Sequence, residues 1–113
     1  MTCDAFEVVV VPFPFTDTDE TVKRPAVVLS RRSFNVEGHT VLAMITDCRN
    51  QQWPLDVRID HESVGLKMAS VVRMKFFTLD SRLVLRRIGS LSQADRQMVL
   101  DSLRQVLPPV WST

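Results

Sequence analysis

The sequence has few of the residues on which several common kinds of site depend. Its 113 residues include only three glycines and two cysteines. Three scattered glycines cannot form the glycine-rich loop that binds phosphates in nucleotide-binding proteins. The cysteines, Cys3 and Cys48, are too few for a disulfide framework and lack the spacing of a metal site. We therefore expect two reduced thiols.

Long apolar runs are also missing, so the sequence predicts no membrane span. The short apolar run at 8–11 follows Asp4 and Glu7, where a signal peptide would carry positive charge. We therefore expect a cytoplasmic protein. Hydrophobic residues make up 45% of the chain and charged residues 24%, which is ordinary for a globular protein, and the length suits one domain over residues 1–113.

Metal-binding and acid–base candidates are equally sparse. His39 and His61 have no cysteine or aspartate at zinc-like or triad-like spacing, so both are expected at the surface. The acidic loop at 17–20 lacks the glycine and distal glutamate of a calcium site. The residues therefore predict neither a metal nor a cofactor.

Positive charge is present but unevenly placed. The net charge is only +1. Segment 67–87 nevertheless concentrates basic residues against a single acid, Asp80: Lys67, Arg73, Lys75, Arg82, Arg86 and Arg87. A basic face suited to a polyanion is thus compatible with a near-neutral chain.

Short apolar or alternating segments predict five or six strands, followed by one helix. The strands are expected at 6–11, 26–30, 40–46, 55–59, 70–79 and 83–88. Ser92, with Asp95 three residues later, is typical of a helix start. The helix should carry one apolar stripe of Met98, Val99, Leu103, Val106 and Leu107. These elements favour a small, strongly bent antiparallel sheet or barrel with a helix packed against it.

Several side chains near predicted strand ends have both a structural and a functional interpretation. Pro25 should start a strand and hold Arg24 at its end, although an exposed charge at a strand start is equally common. Thr46 could simply close a strand. Arg73 and Lys75 are two residues apart and should form a positive stripe on one sheet face, which is solvated more often than it is a binding site. Phe13 and Phe15, set between prolines, either cover the core or stack on a ligand.

Read together, the segments occur in a recognisable order: Glu7-Val8-Val9, a proline-bearing loop, Lys23-Arg24-Pro25-Ala26-Val27-Val28-Leu29-Ser30, Ile45-Thr46, Thr78-Leu79-Asp80 and Ile88-Gly89. In this order they resemble the MazF/PemK toxins of bacterial type II toxin–antitoxin systems, over about residues 7–107. The resemblance implies a mainly β fold with a C-terminal α-helix, a small SH3-like barrel shared by CcdB and MazF. It also implies a homodimeric, metal-independent endoribonuclease without a cofactor, which cleaves single-stranded mRNA and is neutralised by a cognate antitoxin.

Site residues follow from matching positions. Arg24 matches the family's catalytic arginine, Thr46 its active-site threonine, and Glu7 an acid that some members place near the site. We add four basic side chains as RNA backbone contacts and Phe15 as a base platform; the basic residues are Lys23, Arg49, Arg73 and Lys75. This chain departs from many members by having Arg73-Met74-Lys75 where an acidic residue often occurs.

Cleavage of RNA without a metal ion is a reaction that an arginine can assist. The RNA 2′-hydroxyl can attack the adjacent phosphorus without a metal, and an arginine fork can stabilise the charge that develops on the phosphate. Two alternatives remain open on sequence alone. One is a CcdB-like, non-catalytic toxin that binds DNA gyrase, which would not need Arg24 with Thr46. The other is a catalytically degenerate RNA-binding module, which the missing acid would permit.

Overall fold

In the computed structural model, residues 1–13 and 22–108 are described, and six strands in them form one antiparallel sheet. The sheet order is β4-β5-β3-β2-β1-β6. The strands are β1 (Glu7–Pro12), β2 (Lys23–Val28), β3 (His39–Asp47), β4 (Val57–Arg58), β5 (Ser70–Asp80) and β6 (Arg86–Ser90). Two helices, α1 (Arg32–Asn35) and α2 (Gln93–Val106), and a 3₁₀ turn at Ser81–Leu83 complete the elements of these residues.

The sheet is curled into a half-barrel, and two register shifts contribute to its bend. One lies between Val8 and Val9 where β1 meets β6, and the other lies between Ala43 and Ile45 where β3 meets β5. An irregularity of this kind bends a strand and increases its twist. A mainly β fold with a C-terminal helix is therefore confirmed.

The central strands are buried on both faces. Val8, Val27 and Ala43 pack with Val99 of α2 on one face of the sheet. On the opposite face, residues adjacent to these in the same strands, Val9, Ala26 and Leu42, pack together with Phe77. This two-sided burial explains why β1 is a continuous apolar run rather than an alternating one.

Helix α2 begins where the sequence predicts, because the Ser92 hydroxyl accepts a hydrogen bond from the Asp95 backbone N–H at 3.2 Å. Its buried face differs from the predicted stripe, since Val99 is buried while Met98, Val106 and Leu107 are exposed. Two polar contacts on the buried face of α2 explain why it differs from the predicted stripe. The Asp95 carboxylate accepts from the Asp60 N–H at 2.8 Å, and the Ser102 hydroxyl donates to the Leu55 carbonyl at 3.1 Å.

Strand β2 begins at Lys23, three residues before the predicted start at Ala26. Pro25 lies opposite Val10 of β1, whereas β3 pairs with β2 only from Ala26 onward. The N–H that proline lacks is therefore not needed for pairing with β3. The first three residues of β2, including Arg24, therefore pair with β1 but not with β3.

Other predicted strands shift for local reasons. Strand β4 covers only Val57–Arg58 because Leu55 has a left-handed backbone, with φ 69°, which a strand cannot include. The strand expected from residue 83 begins at Arg86, after the 3₁₀ turn. Within the described part of the chain, neither helix has the length and apolar character required to cross a bilayer.

Candidate active site

Arg24 lies over one aromatic ring, which is itself packed against a second. Its guanidinium carbon lies 5.2 Å from the centroid of the Phe13 ring. Phe13 in turn meets Phe77 edge to face, with 6.4 Å between the ring centroids. Phe77 belongs to the core, so this stack connects the exposed arginine to the interior and favours one orientation of its guanidinium.

Two cavities meet at Arg24. The larger, about 560 Å³, is lined by four cations over an apolar floor that includes Pro25; the cations are Lys23, Arg24, Lys67 and Arg86. The smaller, about 180 Å³, is lined by Thr46 and Asp47 and shares Arg24 and Lys67 with the first. Arg24 therefore stands between a basic groove and a pocket that contains the threonine.

Thr46 is the second-last residue of β3 and is only 4% exposed. Its Oγ1 accepts a hydrogen bond from Asn50 Nδ2 at 2.7 Å. Arg24 and Thr46, which the sequence places 22 residues apart, thus line one pocket because β2 and β3 are adjacent antiparallel strands.

Asp47 is the one carboxylate among the residues that line these two cavities. Arg49 holds it with a fork, through Nε at 3.1 Å and Nη2 at 2.7 Å. Hydrogen bonds from the Arg49 side chain and backbone hold the pKa of the Asp47 carboxyl below its ordinary value. Asp47 is consequently a weak proton acceptor, and much of the hydrogen-bonding capacity of Arg49 is directed at Asp47 rather than at a ligand.

The structure corrects the expected place of Glu7. Arg24 lies opposite Val11, and Glu7 is four residues further back along β1, roughly 13 Å away at the rise of a strand. There the Glu7 carboxylate forms an ion pair with Arg87 and accepts from the Asp4 N–H at 2.5 Å. Among the described residues, Glu7 lines neither cavity at Arg24.

Arg73 also differs from its expected role as an RNA contact. Its guanidinium donates to both oxygens of Asp56, at 3.2 and 3.0 Å, and to the Gln51 carbonyl at 2.6 Å. The side chains of this ion pair are only 8% and 4% exposed. A guanidinium so enclosed anchors the loop after β3.

Arg73 and Lys75 do share one face, as predicted, because both cations lie over the Trp53 ring, at 4.8 and 5.7 Å from its centroid. Met74 between them packs against the core. Lys23 lines the basic groove, and its role as an RNA backbone contact stays a prediction. Phe15, the predicted base platform, lies outside the described residues.

Three side chains at the site were missed. Lys67 and Arg86 belong to the basic segment 67–87, so charge distribution was an available signal for both. Asn50 contacts Thr46 from a loop, and only its place in a polar cluster after the strand hinted at a role. Across residues 1–13 and 22–108, no group of three His, Cys, Asp or Glu side chains is arranged to hold a metal ion.

A curled six-stranded antiparallel sheet with a C-terminal helix places the chain among small, mainly β folds. The family model described as PemK-like, MazF-like toxin of type II toxin–antitoxin systems matches residues 4–107, and the chain belongs to this family. No curated protein matches the chain.

Solved structures agree on the fold. MazF in a MazE–MazF crystal structure from Deinococcus radiodurans superposes with a TM-score of 0.76 at 23% identity, covering 94% of this chain and 96% of the other. The Mycobacterium tuberculosis toxin MazF-mt6 gives 0.72 at 19% identity, with 88% and 93% covered. A mycobacterial endoribonuclease in complex with its cognate antitoxin gives 0.75 at 14% identity, with 97% and 99% covered.

Proposed function

We propose that this toxin is a sequence-selective endoribonuclease that cleaves single-stranded mRNA. The observation that carries the proposal is Arg24, oriented by Phe13, at the junction of a basic groove and the pocket that contains Thr46. A groove lined by four cations suits the backbone of a nucleic acid. The pocket beyond it suits one phosphate held between a guanidinium and a hydroxyl.

The reaction is a transfer within the RNA. The 2′-oxygen forms a bond to the adjacent phosphorus, the bond from phosphorus to the 5′-oxygen breaks, and a proton passes from the 2′-hydroxyl side to the departing 5′-oxygen. The products are a 2′,3′-cyclic phosphate and a free 5′-hydroxyl. Arg24 stabilises the extra negative charge on the phosphate oxygens, because a guanidinium remains charged and offers parallel donors. Thr46 adds one hydroxyl hydrogen bond.

Arg24 bears most of the catalytic effect in this proposal because the cavity lining offers little acid–base chemistry. Asp47 is its one carboxylate, and Arg49 keeps that group ionised. Electrostatic stabilisation by a positioned donor is usually the largest single contribution to such a reaction. As in the mycobacterial complex, we propose a cognate antitoxin as protein partner, and we propose that the toxin acts as a homodimer.

The test is cleavage of a mixed RNA by the purified protein, with mapping of the ends. We expect 2′,3′-cyclic phosphate ends in excess chelator, because the arginine supplies the charge that a metal would otherwise provide. Arg24→Ala should lower kcat by on the order of a hundredfold or more, the scale for losing one preorganised donor. Arg31→Ala, which removes an exposed arginine outside both cavities, is the matched control.

Two results would contradict the proposal. Wild-type rates from a folded Arg24→Ala variant would remove Arg24 from the reaction. RNA binding without cyclic phosphate ends would instead identify an RNA-binding module that has lost catalysis.

A further inference from the structure

The hydroxyl of Thr46 is already engaged on one side. Asn50 Nδ2 donates to Thr46 Oγ1 at 2.7 Å. A hydroxyl has one proton to donate and two lone pairs to accept with. In this bond the amide supplies the proton, so one lone pair of Oγ1 is occupied and the hydroxyl proton remains available.

Asn50 is itself fixed from two directions. Its backbone N–H donates to the Asp47 carbonyl at 3.1 Å, which closes a turn directly after β3. The neighbouring Gln51 carbonyl accepts from the Arg73 guanidinium, which is buried in its ion pair with Asp56. The amide of Asn50 is therefore presented to Thr46 by a loop that is anchored to β5.

The hydroxyl proton of Thr46 has no acceptor among the described residues. Among the described residues, the contact with Asn50 is the one hydrogen bond recorded for the Thr46 side chain, and it uses Oγ1 as acceptor. Thr46 is only 4% exposed and is among the residues that line the 180 Å³ pocket beside Arg24. A phosphate oxygen in that pocket would be an acceptor for the proton, in a place where a lone pair would repel it.

We propose that Asn50 is a positioning residue, which fixes the Thr46 hydroxyl as a hydrogen-bond donor to the scissile phosphate. The proposal rests on the endoribonuclease function above and adds the polarity of the threonine contact. Asn50 acts through Thr46 and does not touch the reacting atoms.

The decisive variant is Asn50→Asp, which keeps the shape of the side chain and replaces its donor with acceptors. The introduced carboxylate takes the Thr46 proton, so Oγ1 turns a lone pair toward the phosphate. We expect kcat to fall by about ten- to a hundredfold, with a smaller change in KM, on the scale of one misdirected donor. Gln52→Glu adds the same charge two residues along the loop and should leave kcat within about twofold.

A second background separates polarity from simple charge repulsion. Thr46→Val removes the hydroxyl and nearly conserves the volume, so Asn50→Asp should cause no further loss of kcat in that background. An equally large loss there, or a wild-type kcat for a folded Asn50→Asp variant, would overturn the proposal.

The contact can also be tested without catalysis. The side-chain amide proton of Asn50 should shift upfield in the NMR spectrum of Thr46→Val, while Thr46→Ser should retain the wild-type position. An unchanged resonance in Thr46→Val would refute the contact. A wild-type protein that cuts no RNA would refute the endoribonuclease function, and the NMR result would still report on Asn50.

Discussion

At the scale of single residues, the proposed function assigns different roles to two basic side chains, one that acts on the phosphate and one that attracts RNA. Arg24 is oriented by Phe13 and lies between both cavities. Lys67 also lines both cavities, but it is an exposed lysine on a turn and offers a flexible point charge. A planar fork and a point charge are not interchangeable in bidentate contacts. We therefore expect the two residues to differ in which kinetic constant they control.

The prediction for Lys67 concerns affinity and its dependence on salt. Lys67→Gln should raise KM while changing kcat by less than about twofold. Because each neutralised phosphate of a single strand releases counterions, the slope of log affinity against log salt should fall by about 0.7 in magnitude. Titration of a labelled single strand at several salt concentrations measures the slope.

The contrasting variant is Arg24→Lys, which keeps the charge and removes the fork. It should retain most of the salt slope while recovering little of the kcat lost in Arg24→Ala. If Lys67→Gln left the slope unchanged, the basic groove would not be the path of the RNA backbone.

At the scale of elements, the loop between β3 and β4 depends on Arg73. This side chain joins β5 to Asp56 and Gln51 of the loop, and its guanidinium lies over Trp53. Arg73→Ala would leave Asp56 as an unpaired carboxylate that is nearly inaccessible to water. Breaking a buried pair in this way typically lowers the free energy of unfolding by about 3–5 kcal/mol.

Urea unfolding of Arg73→Ala measures that loss directly. Arg58→Ala removes an exposed arginine from neighbouring β4 and should change the free energy of unfolding by less than about 0.5 kcal/mol. Equal stabilities for the two variants would contradict the anchoring role of Arg73.

The loop between β3 and β4 shows which structural features could be predicted from the sequence and which could not. The succession of strands along the chain and the helix start at Ser92 follow from local patterns, because turn residues and apolar periodicity act over a few positions. The burial of Arg73 does not, since its partners Asp56 and Gln51 are 17 and 22 residues away. Matching positions to a family likewise gives no distances between residues. The distance between Glu7 and Arg24 is set by the register of β1 and β2.

At the scale of the whole molecule, the near-neutral net charge includes ion pairs between residues that are close in the sequence. The chain carries a net charge of only +1, and partly exposed carboxylates form ion pairs with arginines two residues further along, as in Asp47 with Arg49 and Asp80 with Arg82. Each such pair is neutral as a whole and adds little to the field at the basic groove. The pairing also makes the stability of the fold sensitive to acid.

The sign of that sensitivity follows from the pKa of Asp80. Hydrogen bonds from the Arg82 side chain and backbone hold the pKa of the Asp80 carboxyl far below its ordinary value. The unfolded chain therefore binds this proton more readily than the folded one, so the stabilising contribution is present above pH ~4 and is lost progressively as the pH falls below that value. The Arg82 side chain is 88% exposed and that of Asp80 is 33% exposed, so water screens the pair, and the effect should be small and should shrink at high salt. We expect Asp80→Asn and Arg82→Gln each to lower the Tm slightly at pH 6, and the differences from wild type to narrow as thermal melts are taken toward pH 2. Differences in Tm between the variants and wild type that stay constant from pH 6 to pH 2 would show that the pair does not couple proton binding to folding.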